Sequence, residues 1–566
     1  MTTSAVSSPV PAELLQRHRA TLDGALAAIK SREWFGAYSE SPKGYGDEAP
    51  AIGKQAFDAQ LGSRFVIDQP TTGDWAGSER SPYGFDLGVT YPKADVDAVI
   101  AAALEALPQW RDVGGDARVG ILLDALHRIN ARSHEIAHAV MHTTGQAFPM
   151  AFQAGGPHAQ ERALEALAYA YHAMSMIPAE AVWEKPQGRR PPIRMLKTFT
   201  VAPRGIGLVV GCSTFPTWNS YPGLFASLAT GNPVIVKPGP SAVLPLAITV
   251  AILRETLVEA GLPANLVTLA VDGPDERLAG TLAKRPEVRL IDYTGSTTFG
   301  EQLEREASHA VVFAEKAGVN AVVIDSTDSY EAMLQNLAFT LSLYSGQMCT
   351  TTQNIYIPRA GIETDAGHKT FDELGGDLAR AVQSFLSDPV RAAGVLGAIV
   401  NDDVLARVDG AADLGRTILD SVAVTHPDYA DAALRTPVIV AVDGPEAPAA
   451  STEHFGPITL LVPTDDSIAA IDAMRHSALS RGAMTAGVYS TGEHIIEAAR
   501  AAALDGAVAL SENLYGAVFV NQSAAYSDFH GTGLNPAANA SLTDLAYVTP
   551  RFHVVQSRHH MPEEVS

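Results

Sequence analysis

Residues 205–238 read GIGLVVGCSTFPTWNSYPGLFASLATGNPVIVKP. The first seven are an apolar run of strand length closed by a glycine, residues 219–230 carry a helical pattern, and residues 233–236 are a β-branched strand. The alternation continues downstream. Residues 241–260 form a helix whose Leu246, Val250, Leu253 and Leu257 share one stripe, and Gly261-Leu262-Pro263 ends it. Strands follow at 266–271 and 289–293, then Gly295 and a helix from about Thr297. Strands regularly separated by helices predict an α/β fold with a parallel, doubly wound sheet. Such sheets hold ligands at the carboxyl ends of their strands, where glycine lets the backbone approach a phosphate.

Upstream, residues 93–110 place Val96, Val99, Ile100, Ala103 and Leu104 on one helical face; further helices are expected from 116 into the low 130s and from Ser133. Residues 1–60 read as an extension, helical around 11–30 and then polar and rich in Gly and Ser. Beyond Asn320 the alternation runs on to about residue 520. A chain of 566 residues exceeds one ordinary core, so two or three domains are expected. Hydrophobic residues make up 46% and charged residues 18%, a water-soluble globular balance. The net charge of −23 argues against nucleic-acid and anionic-membrane partners, which require clustered cations. Residues 1–15 lack the basic and apolar regions of an export signal, and only Cys212 and Cys349 occur. The expectation is a reducing, cytoplasmic setting.

Cys349 lies in Ser345-Gly346-Gln347-Met348-Cys349-Thr350, where Gly346 permits a turn that exposes the thiol and its backbone N–H. A lone cysteine is more often a small buried hydrophobe than a nucleophile, so its companions decide. Glu315 ends the apolar run 310–314; desolvation there predicts a raised pKa suited to a general base, against the alternative of a surface ion pair with Lys316. Asn219 stands where the strand 205–211 hands over to its helix, able either to donate to a developing oxyanion or to cap the helix. Tyr293-Thr294-Gly295-Ser296 combines a strand end, a glycine turn and a helix start, a geometry that suits a cofactor phosphate or ribose.

Together these motifs resemble those of the aldehyde dehydrogenase superfamily. The family's oxyanion segment is similar to Thr217-Trp218-Asn219 followed by 231–238, its cofactor turn to 293–296, its general-base motif to Glu315-Lys316-Ala317-Gly318, and its nucleophile motif to Gly346-Gln347-Met348-Cys349. The base precedes the nucleophile by the 34 residues expected of the family, and a Glu-x-Phe-Gly-Pro motif stands at Glu453 to Pro457. The resemblance implies a Rossmann-type nicotinamide domain over 61–320, an α/β catalytic domain over 321–525 and a small β oligomerisation arm over 526–566. It implies Cys349, Glu315 and Asn219 as catalytic residues. It also implies cofactor contacts from Thr217, Trp218, Lys237, Pro240, Gly295, Ser296, Glu453 and Phe455, and no metal. Within the superfamily the chain resembles most the phenylacetic acid degradation proteins called PaaN. That likeness implies NAD(P)-dependent oxidation of a semialdehyde of phenylacetate catabolism, carried as a coenzyme A thioester, in a homo-oligomer.

Three departures from the pattern stand out. Pro240 replaces the Glu that binds the ribose 2′-hydroxyl in NAD-preferring relatives, so NADP is expected to be at least tolerated. Lys316-Ala317 replaces Leu-Gly beside the base, and the stretch 218–222 is one residue longer than the family's. Retention of Glu315 favours a free acid over a coenzyme A-acylating reaction; a catalytically silent structural paralogue is the other alternative. His134-Glu135-Ile136-Ala137-His138 spells a zinc-protease pattern, but its histidines are expected to flank the polar side of a helix whose apolar face is Ile136, Ala137, Val140 and Met141.

Overall fold

The computed structural model of the protein describes residues 11–273, 276–516 and 524–561. Residues 1–10 of the expected extension, 517–520 of the expected alternation and 562–566 of the expected arm lie outside the described residues.

The segment 205–238 forms the strand Ile206–Val210, the helix Pro216–Ala229 and the strand Val234–Lys237. With Val267–Leu269, Val288–Thr294 and Val311–Glu315 these strands make a five-stranded parallel sheet. All five residues of Ile206–Val210 are buried, because helices cover both faces of such a sheet and leave no polar side to alternate. The chain winds outward from this central strand to Val267–Leu269, then crosses back to Val288–Thr294 on its other flank. Strand order therefore reverses beside Ile206–Val210, the place where doubly wound sheets open a ligand crevice.

A second, seven-stranded sheet spans 320–512 in the order Arg416–Leu419, Val438–Ala441, Ile458–Thr464, Thr352–Pro358, Asn320–Ile324, Thr485–Tyr489, Ala509–Glu512. Only its edge strand Arg416–Leu419 runs antiparallel. A third sheet of three antiparallel strands, Glu180–Gln187, Arg190–Pro203 and Phe552–His560, is largely exposed. The architecture is the expected one: a Rossmann-type sheet, a second α/β sheet and a small β arm. Two of the arm's strands come from 180–203, a hairpin that carries no sequence signal of its destination.

The extension packs as part of the body. Helices Pro11–Arg17, Arg19–Ser31 and Ala49–Gln60 lie on Gly115–Ala131, Ala159–Ser175 and Ser133–Thr144, burying Leu14, Leu22, Ala25, Ile29 and Phe57. Helix 49–60 falls in the stretch read as polar; it buries only Gly53 and Phe57, too few positions to set a period. Phe57 also corrects the reading of the protease-like motif. Its ring stacks on His138 and His142 with centroids 5.8 and 5.1 Å apart, and His134 and His142 are buried rather than on a polar side. Burial drives His138 down to about 4 and His142 to about 3, so both rings pack as neutral aromatics.

Three buried acidic side chains tie the ends of the chain to this frame. On Ala159–Ser175, Glu161 accepts the Ala37 and Tyr38 N–H groups at 2.6 and 2.8 Å and the Tyr526 hydroxyl at 2.7 Å. One turn on, Glu165 pairs with Arg162 at 2.7 Å and accepts from the Tyr526 N–H and the Thr543 hydroxyl. Farther along, Arg551 meets Asp292 of the strand Val288–Thr294 at 2.6 Å, with the Tyr547 hydroxyl donating to the same carboxylate. The Arg551 side chain is wholly buried, so Asp292→Asn leaves an uncompensated charge. The expected loss is about 3–5 kcal/mol in urea denaturation followed by tryptophan fluorescence, and a loss under about 1 kcal/mol would contradict it.

Candidate active site

The two large sheets meet at three side chains from three elements. Glu315 is the last residue of the strand Val311–Glu315 and is buried. Asn219 lies in the first turn of Pro216–Ala229, and its Nδ2 donates to Glu315 Oε2 at 3.0 Å. The helix begins at Pro216 with Phe215 as its cap, which removes the reading of Asn219 as a capping residue. Lys316 pairs with Glu304 at 3.0 Å, so it is no partner for Glu315 either.

Cys349 follows a tight left-handed turn in which Tyr344, Ser345 and Gly346 have φ of 52°, 48° and 64°. A Cβ on Gly346 would come within 2.3 Å of the Gly456 carbonyl oxygen, so this glycine is required by contact as well as by φ. Asn320 Nδ2 then donates to the Cys349 and Thr351 carbonyls at 2.8 and 3.0 Å, fixing the thiol's backbone on the first strand of the seven-stranded sheet.

The fourth side chain in this cluster has no motif in the sequence. His530 is buried, with Nε2 3.1 Å from Glu315 Oε1 and 3.8 Å from Cys349 Sγ, and its ring stands edge-on to Trp218 at 4.6 Å. It changes the electrostatics of Glu315. Burial alone pushes the Glu315 carboxyl up, as expected from the sequence. The His530 charge and hydrogen bonds from His530, Cys349 and Asn219 outweigh it and bring the carboxyl below the ordinary glutamate range. The raised pKa predicted from the apolar run is therefore corrected. Burial and the neighbouring Glu315 charge push the Cys349 thiol well up.

Residues 535–539 anchor the strand end that carries Glu315. Lys316 N–H donates to the Ala537 carbonyl at 2.6 Å, Asn539 Oδ1 accepts the Ala314 N–H at 2.7 Å, and Glu315 bridges Ala538. From the cluster a mainly apolar pocket of about 360 Å³ leads outward between Met150, Phe215, Trp218, Phe339 and Leu343, with Cys349 and His530 among its lining.

Lys237, Pro240, Gly295 and Ser296 lie at strand ends of the five-stranded sheet, whereas Glu453 and Phe455 line a small cavity with Gly318, Asn320, Gly346 and Met348. Lys237, at the carboxyl end of Val234–Lys237, pairs with Asp272 at 2.8 Å. Gly295 and Ser296 are exposed at the end of Val288–Thr294, and Ser296 caps the helix Thr297–Glu306 by accepting the Phe299 N–H. Pro240 lies in the turn after Lys237, and its side chain offers no acceptor. Glu453 takes the Gly318 N–H, and burial pushes its carboxyl up to about 7; Phe455 gives its carbonyl to Arg407. Thr217 and Trp218 are not brought there by their side chains: the Thr217 hydroxyl donates to the Gly155 carbonyl at 2.8 Å, and Trp218 lines the pocket.

A profile of the aldehyde dehydrogenase family matches residues 89–521. The chain belongs to the aldehyde dehydrogenase family. A crystal structure described as an NAD-dependent aldehyde dehydrogenase from Burkholderia multivorans is 55% identical with a TM-score of 0.96, covering 97% of this chain and 99% of that one. Among curated relatives, 1-pyrroline-5-carboxylate dehydrogenase 1 of Halalkalibacterium halodurans is 25% identical over 65% of this chain and 69% of its own length. Vanillin dehydrogenase of an Amycolatopsis species is 25% identical over 76% and 82%. A Thermus 1-pyrroline-5-carboxylate dehydrogenase with bound NAD shares the fold at 19% identity, with a TM-score of 0.73 over 94% of this chain and 99% of that one.

In this aldehyde dehydrogenase the thiol's position depends on the approach of Gly346 to Gly456. Gly346→Ala is expected to lower aldehyde oxidation by at least about tenfold and to lower the melting temperature, since neither backbone can yield without moving the turn. Steady-state rates and thermal unfolding check this; wild-type values in both would remove the turn from the account.

Proposed function

We propose that this aldehyde dehydrogenase oxidises its substrate to the carboxylic acid, with Cys349 as nucleophile, Glu315 as general base and Asn219 as oxyanion donor. The observation that carries the reading is the convergence of the thiol, the carboxylate and the amide beside one apolar pocket. Cys349 Sγ adds to the carbonyl carbon, and the oxygen gains negative charge. Asn219 Nδ2 turns from Glu315 to donate to that oxyanion. NAD or NADP, when bound, supplies the hydride acceptor. Cys349 is left carrying the acyl group as a thioester, and Glu315 takes a proton from the water that hydrolyses it. Its lowered pKa keeps the carboxylate ionised at neutral pH, so the acid limb of this step falls below the ordinary glutamate range.

The crevice side suits a nicotinamide dinucleotide: a buried cation in Lys237, an open glycine turn at Gly295 and a helix start capped by Ser296 lie at strand ends on either side of the switch point. We assign these residues, with Glu453 and Phe455 toward the nicotinamide ribose, to cofactor binding. The side chains of Thr217 and Trp218 are left to the pocket. Pro240 is the reason to include NADP, whereas the name of the Burkholderia multivorans structure supports NAD. Residues 61–320 then carry the cofactor and 321–525 the nucleophile, in the cytoplasm. For the substrate class we propose a ring-opened semialdehyde of phenylacetate catabolism carried as a coenzyme A thioester. The PaaN resemblance suggests it, and the apolar lining suits the carbon chain.

With a panel of such aldehydes, wild-type protein is expected to reduce cofactor and release the free acid without added coenzyme A. Cys349→Ala should abolish the initial burst. Glu315→Gln should lose turnover by about 10²–10⁴-fold. A rate that requires coenzyme A and survives Glu315→Gln would establish an acylating enzyme instead. No reduction with any aldehyde would mark a silent paralogue.

We further propose a homo-oligomer joined through the arm, on which Val182, Trp183, Val554 and Val555 are exposed apolar side chains. Light scattering is expected to give a mass of two or more chains, reduced by Val182→Lys with Val555→Lys. A monomeric wild-type protein would end this proposal.

A further inference from the structure

A nucleophilic thiol at Cys349 faces an electrostatic obstacle within its own site. The side chain is partly buried at the base of the pocket and stands beside an ionised carboxylate, and both conditions hold the proton on sulfur. A thiolate at neutral pH needs a cation within reach. The titratable or charged groups around Sγ are Glu315 on the strand Val311–Glu315, Glu453 before the strand Ile458–Thr464, Cys212 after the strand Ile206–Val210, and His530. Arg162 lies farther out, its guanidinium carbon 5.3 Å from the centre of the Trp218 ring and its charge paired with Glu165. His530 is the nitrogen base in contact with the sulfur.

We propose that His530 is a catalytic residue: its imidazole takes the Cys349 proton, and the site rests as a thiolate–imidazolium pair whose cation is held by the Glu315 carboxylate. This rests on the reading of Cys349 as the nucleophile. The transfer breaks the S–H bond, leaves its electron pair on sulfur and forms an N–H bond at Nε2. Glu315 is ionised before and after, so the net charge of the three groups does not change.

The geometry supplies the driving force. Nε2 is 3.8 Å from Sγ and 3.1 Å from Glu315 Oε1. An unprotonated Nε2 would turn its lone pair toward a carboxylate oxygen, an unfavourable meeting of negative charge. A protonated Nε2 directs its N–H to the sulfur and lies within ion-pair distance of that oxygen, which has no other hydrogen-bond partner among the described residues. Because His530 and Glu315 are both buried, these interactions are little screened by water. The perpendicular packing of the ring on Trp218 holds the imidazole edge toward both partners. Glu315 thus serves twice: it keeps the cation in place while the thiolate attacks, and it receives the proton of water afterwards.

Two readouts separate this role from a structural one. The first is the ultraviolet thiolate absorbance of the cofactor-free protein, taken as the difference between wild type and Cys349→Ser across pH. It is expected to be present at pH values well below the ordinary thiol value of about 8.5. The second is the rate of iodoacetamide alkylation at Cys349, located by peptide mass. In His530→Gln, which keeps an amide donor toward Glu315, alkylation near neutral pH is expected to slow by at least about tenfold and its profile to move to the alkaline side. A wild-type thiolate seen only at or above the ordinary thiol range overturns the proposal, and so does an unchanged alkylation profile in the variant. The wild-type titration decides the matter by itself if His530→Gln does not fold. Aldehyde oxidation that persists in Cys349→Ser would instead sink the nucleophile reading beneath it.

Discussion

Two carboxylates inside one helix, Glu161 and Glu165, set the path of both ends of the chain. A carboxylate away from water is tolerated only when its lone pairs are met, and here the donors come from sequence-distant segments: Ala37 and Tyr38 from one end, Tyr526 and Thr543 from the other. Arg162, on the same helix, donates to the Asp528 carbonyl and lies over the Trp218 ring. With Tyr526 and Asp528 fixed, His530 is delivered to the same tryptophan, edge-on to its ring. Groups that never touch a substrate thereby place one that contacts the thiol.

The same C-terminal segment explains what could and could not be read from the chain. The strands around 205–238 are legible because strands covered on both faces are unbroken apolar runs, and their helices carry stripes and stops. That Cys349, Glu315 and Asn219 come together is legible because their motifs come with local glycines and a fixed spacing. His530 is 181 residues from Cys349 and sits in a loop, where no period or motif marks it. Helix 49–60 is hidden for a related reason: its one large buried side chain, Phe57, finds its partners on another helix. Nor does a β-rich hairpin such as 180–203 announce that a strand from beyond residue 550 will pair with it.

Glu315 shows where sequence reasoning about charge stops. Its apolar neighbours correctly predict burial, and burial by itself raises a carboxyl pKa. The sign of the net effect is decided by what else is buried with it, and His530 reverses it. Lys237 behaves similarly: its place at a strand end is evident from the pattern, whereas its pairing with Asp272 depends on the neighbouring strand's end. In both cases the sequence locates a group and the fold assigns its partner.

Chain order gives the segment 524–560 one more consequence. Both large sheets are complete by Glu512, so a growing polypeptide can assemble every strand around Cys349 before residues 535–539 and His530 have been made. Until that segment docks, the strand bearing Glu315 lacks its anchor at Ala537 and Asn539, and the thiol lacks its imidazole neighbour. The last part of the chain to be made is thus the part that closes over Cys349, through Ala537, Ala538 and His530.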